Sequence, residues 1–93
     1  MGYSVYILQC VDGSYYVGSA EDVDERVRRH NAGEGADWTA RRRPVTLLYT
    51  ECHNDKSAAI QREQQIKHWN RAKKEALIAD NKERLRKLSK SRT

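Results

Sequence analysis

The chain has 93 residues, 38% of them hydrophobic and 33% charged, with a net charge of +5. That length supports one small domain and leaves no room for a second. No apolar run approaches the roughly 18 residues of a membrane span, and the excess of basic residues makes a polyanion the natural partner to consider.

The first stretch, "YSVYILQCV" from Tyr3 to Val11, is rich in β-branched and aromatic residues. It is punctuated by Asp12-Gly13 and followed by "SYYVG", which together read as a β-hairpin. Its register depends on the turn. A three-residue loop, Val11-Asp12-Gly13 with Gly13 in the left-handed region, pairs Cys10 with Ser14, Leu8 with Tyr16 and Tyr6 with Gly18. Tyr6 and Tyr16 then share one face as diagonal neighbours, and Tyr15 takes the other face as a packing residue. A two-residue Asp-Gly loop would instead put Tyr6 and Tyr16 on opposite faces.

From Asp22 to about Ala32 the pattern turns helical, with Val23, Val27 and His30 on one stripe. Ser19 and Asp22 are both suitable N-caps, and Gly33 stops the helix. Arg26 lies about 60° from that stripe and shares its inward side with His30, whereas Arg28 and Arg29 point away as surface charge. The plain alternatives are a hydrogen-bonded core histidine and an ion pair from Arg26, for which Glu63 is a candidate.

A loop, "GEGADWTARRRP", leads to a third strand, "VTLLYTEC", expected to be buried on both faces at its centre. Cys10 and Cys52 have no metal-binding spacing and read as buried free thiols in a reducing compartment. With no signal pattern at the N-terminus, a cytoplasmic location is expected.

A second helix runs from Lys56 to about Trp69. Ala59, Ile60 and Ile66 surround Glu63 on its apolar stripe. A carboxylate there is costly unless it is ion-paired, hydrogen-bonded or bound to a metal. A third helix spans about Arg71 to Leu88 and carries Asn81 among Leu77, Ile78, Leu85 and Leu88. The order β-β-α-β-α-α describes an α/β (α+β) domain, a small three-stranded antiparallel sheet flanked by helices. One domain over 1–88 and a disordered basic tail over 89–93 are expected.

Taken in order, Ser4-Val5-Tyr6, Tyr16-Val17-Gly18, Arg26 with His30 four residues on, and Glu63 in "AAIQREQQIKHW" resemble the GIY-YIG nuclease superfamily. From Tyr3 to about Leu88 the chain looks like the small stand-alone bacterial subfamily of uncharacterised GIY-YIG proteins. "HNAGEGADWTARRRPVTLLYTE" is similar to that subfamily's loop and third strand. Two departures stand out: Ser and Val replace Gly and Ile in the first motif, and Ser19 follows the second motif where some relatives have lysine.

The resemblance implies a metal-dependent endonuclease hydrolysing phosphodiester bonds in DNA, structure- or single-strand-selective rather than sequence-specific, with work in DNA repair or recombination in keeping. Glu63 would hold one Mg2+ or Mn2+, Arg26 would clamp a phosphate oxygen, and Tyr6 or Tyr16, with help from His30, would handle the proton of the attacking water. Gly18 and Ser19 would meet the substrate backbone. Trp38 would stack on a base, Arg41, Arg42 and Arg43 would contact phosphates, and Asn81 would face the leaving group. The expected partner is nucleic acid, DNA before RNA, engaged by a monomer with no membrane. The alternative is a nucleic-acid-binding module of the same fold without catalysis.

Overall fold

The computed structural model of the protein describes residues 2–80; Asn81, the rest of the third predicted helix and the 89–93 tail lie outside the described residues. The elements are β1 (Tyr3–Gln9), β2 (Tyr15–Ala20), α1 (Val23–Asn31), α2 (Asp37–Ala40), β3 (Thr46–His53) and α3 (Lys56–Lys67), followed by a helix over 71–80, α4. The expected order holds, with α2 as an addition inside the arginine-rich loop. Four residues are too few to show a helical period, and α2 has no side-chain N-cap, so neither sequence signal was available.

The hairpin uses the three-residue loop. Gly13 has φ +87°, Cys10 N–H donates to the Ser14 carbonyl at 2.8 Å, and Gly13 N–H donates to the Cys10 carbonyl at 2.9 Å. Asp12 Oδ1 accepts from both the Ser14 amide, at 3.0 Å, and the Ser14 hydroxyl, at 2.6 Å. Leu8 pairs with Tyr16 and Tyr6 with Gly18, which puts Tyr6 and Tyr16 on one face and Tyr15 on the other. The Tyr15 hydroxyl donates to Glu75 at 3.3 Å.

The sheet order is β2-β1-β3, antiparallel throughout. β1 is therefore the strand buried on both faces: Val5, Ile7 and Leu8 are at 0% exposure and Tyr6 at 1%. The expectation that the third strand holds that position is corrected. β3 is an edge strand in which Tyr49 is the one buried residue, because an edge position leaves one side without a neighbour. A register shift between Ile7 and Leu8 lets adjacent Leu48 and Tyr49 pack toward the same side. Cys10 is buried as expected, but Cys52 is exposed near the end of this edge strand.

Each sheet face has its own core. Val5, Ile7, Val17 and Tyr49 pack against Ala59 and Ile66 of α3 and Ile78 of α4. On the other face Tyr6, Leu8, Cys10, Ala20 and Val45 pack with Val23 and Val27 of α1. Asp22 caps α1 by accepting from Glu25 N–H at 3.1 Å, and Asp55 caps α3 through Ala58 N–H at 2.8 Å. At its C-terminus α1 closes with a Schellman pair: Gly33 N–H bonds the His30 carbonyl and Glu34 N–H the Arg29 carbonyl. Gly33, at φ +82°, turns the chain back over His30.

Candidate active site

β1 carries Tyr6 onto the α1 side of the sheet, where its hydroxyl lies 3.0 Å from His30 Nε2. His30 Nδ1 lies 2.7 Å from Thr39 Oγ1 of α2. All three residues are buried. The Tyr16 ring meets His30 edge to face, with ring centroids 5.1 Å apart. Two glycines make the packing possible. A Cβ at Gly18 would stand 2.5 Å from the Tyr6 hydroxyl, and one at Gly35 would stand 2.2 Å from His30 Nδ1. Gly18 thus makes room for the Tyr6 ring and hydroxyl, whereas the expectation for it was a close approach of the substrate backbone.

The electrostatics separate the two titrating groups. Burial pushes the Tyr6 hydroxyl up to about 12; Tyr16 and Glu63 add to the rise, while the Arg26 guanidinium opposes it. Burial, and after it the charge of Arg26, hold His30 below the ordinary histidine value. At neutral pH the pair is a protonated phenol beside a neutral imidazole.

Beside this pair lies a cleft of about 280 Å³ lined by Tyr16, Arg26, Arg29, His30, Glu34, Gly35 and Ala36. Arg26 is half-buried, and Arg28 and Arg29 are exposed as expected. Arg29 nevertheless lines the cleft, which its place three residues after Arg26, on a neighbouring helix row, made readable. A larger cleft of about 510 Å³, at the start of α1, is walled by Glu21, Asp22 and Asp24. Those carboxylates would repel a polyanion, whereas the smaller cleft carries the two arginines Arg26 and Arg29.

Glu63 reaches the site from α3. Its side chain is 14% exposed; Oε2 meets Lys67 Nζ at 2.8 Å, and Oε1 accepts from the Ser19 hydroxyl at 2.6 Å. The ion pair with Arg26 is not the one formed: Lys67, one turn along α3, takes that place. Ile60 is 39% exposed, so the inward stripe is Ala59, Glu63 and Ile66 without it. No group of three or more His, Cys, Asp or Glu gathers to hold a metal among the described residues. A single oxygen-donor carboxylate still fits a Mg2+-type ion, which keeps waters and binds through one or two carboxylates plus substrate phosphates.

The arginine-rich loop is largely occupied with its own structure. Arg42 stacks 3.4 Å over the Trp38 ring, and donates to Asp12 and to the Trp38 carbonyl, both at 3.0 Å. Arg43 donates to the carbonyls of Ala40, at 3.0 Å, and Asn31, at 3.3 Å. Arg41 is exposed, and so is Trp38, at 46%. Tyr6, Tyr16, Arg26 and His30 therefore come together, with Glu63 and Ser19 at the neighbouring sheet edge, whereas the Trp38 platform is tied to the site through Thr39. Thr39, Gly35 and Lys67 were not singled out from the sequence, and Arg29 was read only as surface charge.

A three-stranded sheet with paired tyrosines on one face, an Arg-His helix above them and a glutamate from the opposite layer defines the class. Residues 2–76 match the GIY-YIG catalytic domain family, and the chain belongs to that family, a nuclease superfamily. More narrowly, it is 53% identical over 74 residues to a UPF0213 protein of Halobacterium salinarum, covering 80% of this chain and 96% of that one. It is 51% identical over 76 residues to a UPF0213 protein of Staphylococcus aureus strain N315, covering 82% and 93%. The fold is similar to the solution NMR structure of the UPF0213 protein BH0048 from Bacillus halodurans, at TM-score 0.55 and 43% identity, over 85% of this chain and 84% of that one. It is also similar to that of EF2693 from E. faecalis, at TM-score 0.60 and 35% identity, over 86% and 85%. No helix among the described residues is long and apolar enough to cross a membrane.

Proposed function

We propose that the protein is a metal-dependent endonuclease that hydrolyses phosphodiester bonds in DNA, selecting single-stranded or branched structure rather than sequence, and acting as a monomer. The observation that carries this reading is the Tyr6 hydroxyl 3.0 Å from His30 Nε2, with Arg26 and Glu63 both close enough to shift its ionisation.

At a pKa near 12, Tyr6 is not a phenolate at neutral pH and cannot act as a standing base. It can pass a proton along. As the attacking water gives its proton to the Tyr6 oxygen, Tyr6 gives its own to His30 Nε2. The imidazole becomes imidazolium, the hydroxide oxygen bonds to phosphorus, and the bond from phosphorus to the leaving sugar oxygen breaks, that oxygen taking a proton from solvent. This favours Tyr6 over Tyr16, whose ring packs on His30 while Tyr6 holds the hydrogen bond. Arg26 donates to a non-bridging phosphate oxygen where negative charge grows. Glu63 would hold a Mg2+ or Mn2+, which when bound supplies charge neutralisation at the scissile phosphate and the leaving oxygen. Arg29 extends the positive wall along the substrate strand, and the exposed Trp38 offers a base-stacking surface.

The test is cleavage of single-stranded, flapped and duplex DNA, and of RNA, with Mg2+ or Mn2+, beside Glu63→Ala and Tyr6→Phe. Loss of cleavage in both variants supports the reading; activity that survives in Glu63→Ala would come from a contaminant and sink it. One observation favours the non-catalytic alternative: Lys67 and Ser19 already satisfy both carboxylate oxygens of Glu63. That reading expects salt-sensitive binding without turnover in any metal.

A further inference from the structure

Resting on the catalytic reading of Tyr6 and His30, we propose that Thr39 is a positioning residue that sets the His30 tautomer, leaving Nε2 free to receive the Tyr6 proton. Thr39 is fully buried. Its hydroxyl oxygen lies 2.9 Å from the Ala36 carbonyl and 2.7 Å from His30 Nδ1. A carbonyl only accepts, so the hydrogen between these two oxygens belongs to Thr39. With its one hydrogen spent there, Thr39 Oγ1 accepts from Nδ1–H. A neutral imidazole with hydrogen on Nδ1 has its lone pair on Nε2, and the Tyr6 phenol donates to it. Three close contacts thus receive three hydrogens.

The other tautomer leaves the series short. Thr39 would have to donate to Nδ1, which strips the hydrogen from its 2.9 Å contact with the Ala36 carbonyl. Nε2–H would then point at the Tyr6 oxygen, and the Tyr6 hydroxyl would have to turn its hydrogen away from His30, toward the side of the attacking water, where it cannot take that water's proton. Two buried oxygens left 2.9 Å apart with no hydrogen between them are also unfavourable. Proton flow follows from this arrangement. When Nε2 takes the Tyr6 proton, Nδ1–H remains bonded to Thr39, so no side chain has to turn during the step.

The placement is built by the loop. The Schellman turn after α1 and the missing Cβ of Gly35 let the chain cross close over His30. α2 then presents Thr39 inward and Trp38 to solvent.

The experiment is a long-range 1H–15N correlation of the histidine rings near neutral pH, on the wild-type chain, Thr39→Ser and Thr39→Val, with cleavage measured in parallel. The wild type should show a neutral His30 ring with hydrogen on Nδ1, and Thr39→Ser should keep it. Thr39→Val keeps the shape and removes the acceptor. It should shift the ring toward the Nε2–H form, with cleavage falling about a hundredfold, the scale of lost proton transfer, while Thr39→Ser stays within a few-fold. A wild-type ring with hydrogen on Nε2 overturns the proposal even if Thr39→Val does not fold, as does a Thr39→Val ring unchanged from wild type. The ring spectra are independent of turnover. A chain that shows the Nδ1–H form but cuts no substrate leaves the tautomer assignment standing and overturns the nuclease reading instead.

Discussion

The Tyr6 hydroxyl occupies the space that a side chain at Gly18 would need: a Cβ there would lie 2.5 Å from Oη and 2.7 Å from Cζ of the Tyr6 ring. The glycine opposite Tyr6 in the hairpin is therefore a steric condition for the tyrosine's contact with His30. Gly18→Ala should cost about 1–3 kcal/mol as overpacking and should also displace the Tyr6 hydroxyl from His30. Chemical denaturation measures the first effect. Loss of cleavage in variant protein shown to be folded measures the second, and full activity in that protein would separate Gly18 from the site.

Lys67 pairs with the carboxylate proposed to hold the metal, Glu63. Lys67 is 40% exposed on its side chain, so the pair is worth at most about 1 kcal/mol. Lys67→Ala should tighten Mn2+ binding by up to roughly fivefold, read by calorimetry or by paramagnetic broadening around Glu63, with little change in stability. Glu63→Ala should abolish the same binding. If Lys67→Ala weakens the metal instead, the ammonium supports the site rather than competing for it.

The raised tyrosines give the fold an alkaline limit. Burial lifts both Tyr6 and Tyr49 to about 12. The unfolded chain releases these protons near pH 10 while the native state keeps them. Stability should thus be full below about pH 10 and fall as pH rises toward 12, by at most about 1.4 kcal/mol per pH unit for each tyrosine. Guanidinium unfolding at a series of pH values, on wild type, Tyr6→Phe and Tyr49→Phe, checks it; each variant should lose part of the slope. His30 contributes at the other end. Its lowered value means that the unfolded chain binds the proton first, so stability declines as pH drops through and below about 6.5.

The three consecutive arginines should behave differently. Arg41→Ala should lower the dependence of nucleic-acid affinity on log salt by about one unit, the signature of one lost phosphate contact. Arg43→Ala should instead destabilise the protein, because Arg43 ties the end of α1 to α2 through the Asn31 and Ala40 carbonyls. Trp38→Ala should weaken binding to single strands by about 1–3 kcal/mol if a base stacks there. Titrations followed by fluorescence anisotropy at two salt concentrations, beside melting curves, distinguish these outcomes.

Much of the candidate site was readable because it is set by local rules. Asp12-Gly13 and the left-handed Gly13 determine the loop length, the loop determines the register, and the register puts Tyr6 with Tyr16 and turns Tyr15 away. The helical period likewise places Arg26 and His30 on the inward side of α1, and Asp22, one of the two caps the residues offered, marks where α1 begins. Each of these depends on residues within a few positions of one another, so a single chain pattern carries them.

What remained depended on which elements became neighbours. The order β2-β1-β3 made β1 the doubly buried strand, left β3 at the edge and exposed Cys52; strand order is chosen by packing summed over the whole sheet, and alternation along one strand does not encode it. Glu63 could have paired with any nearby cation, and distance selected Lys67. Arg42 and Arg43 look like free charge in a row of basic residues, yet the folded loop engages both. Thr39 carries no signal of its own in "DWTARRR", since a threonine becomes a partner for His30 Nδ1 only when the chain folds back across the end of α1 and brings the two side chains within 2.7 Å.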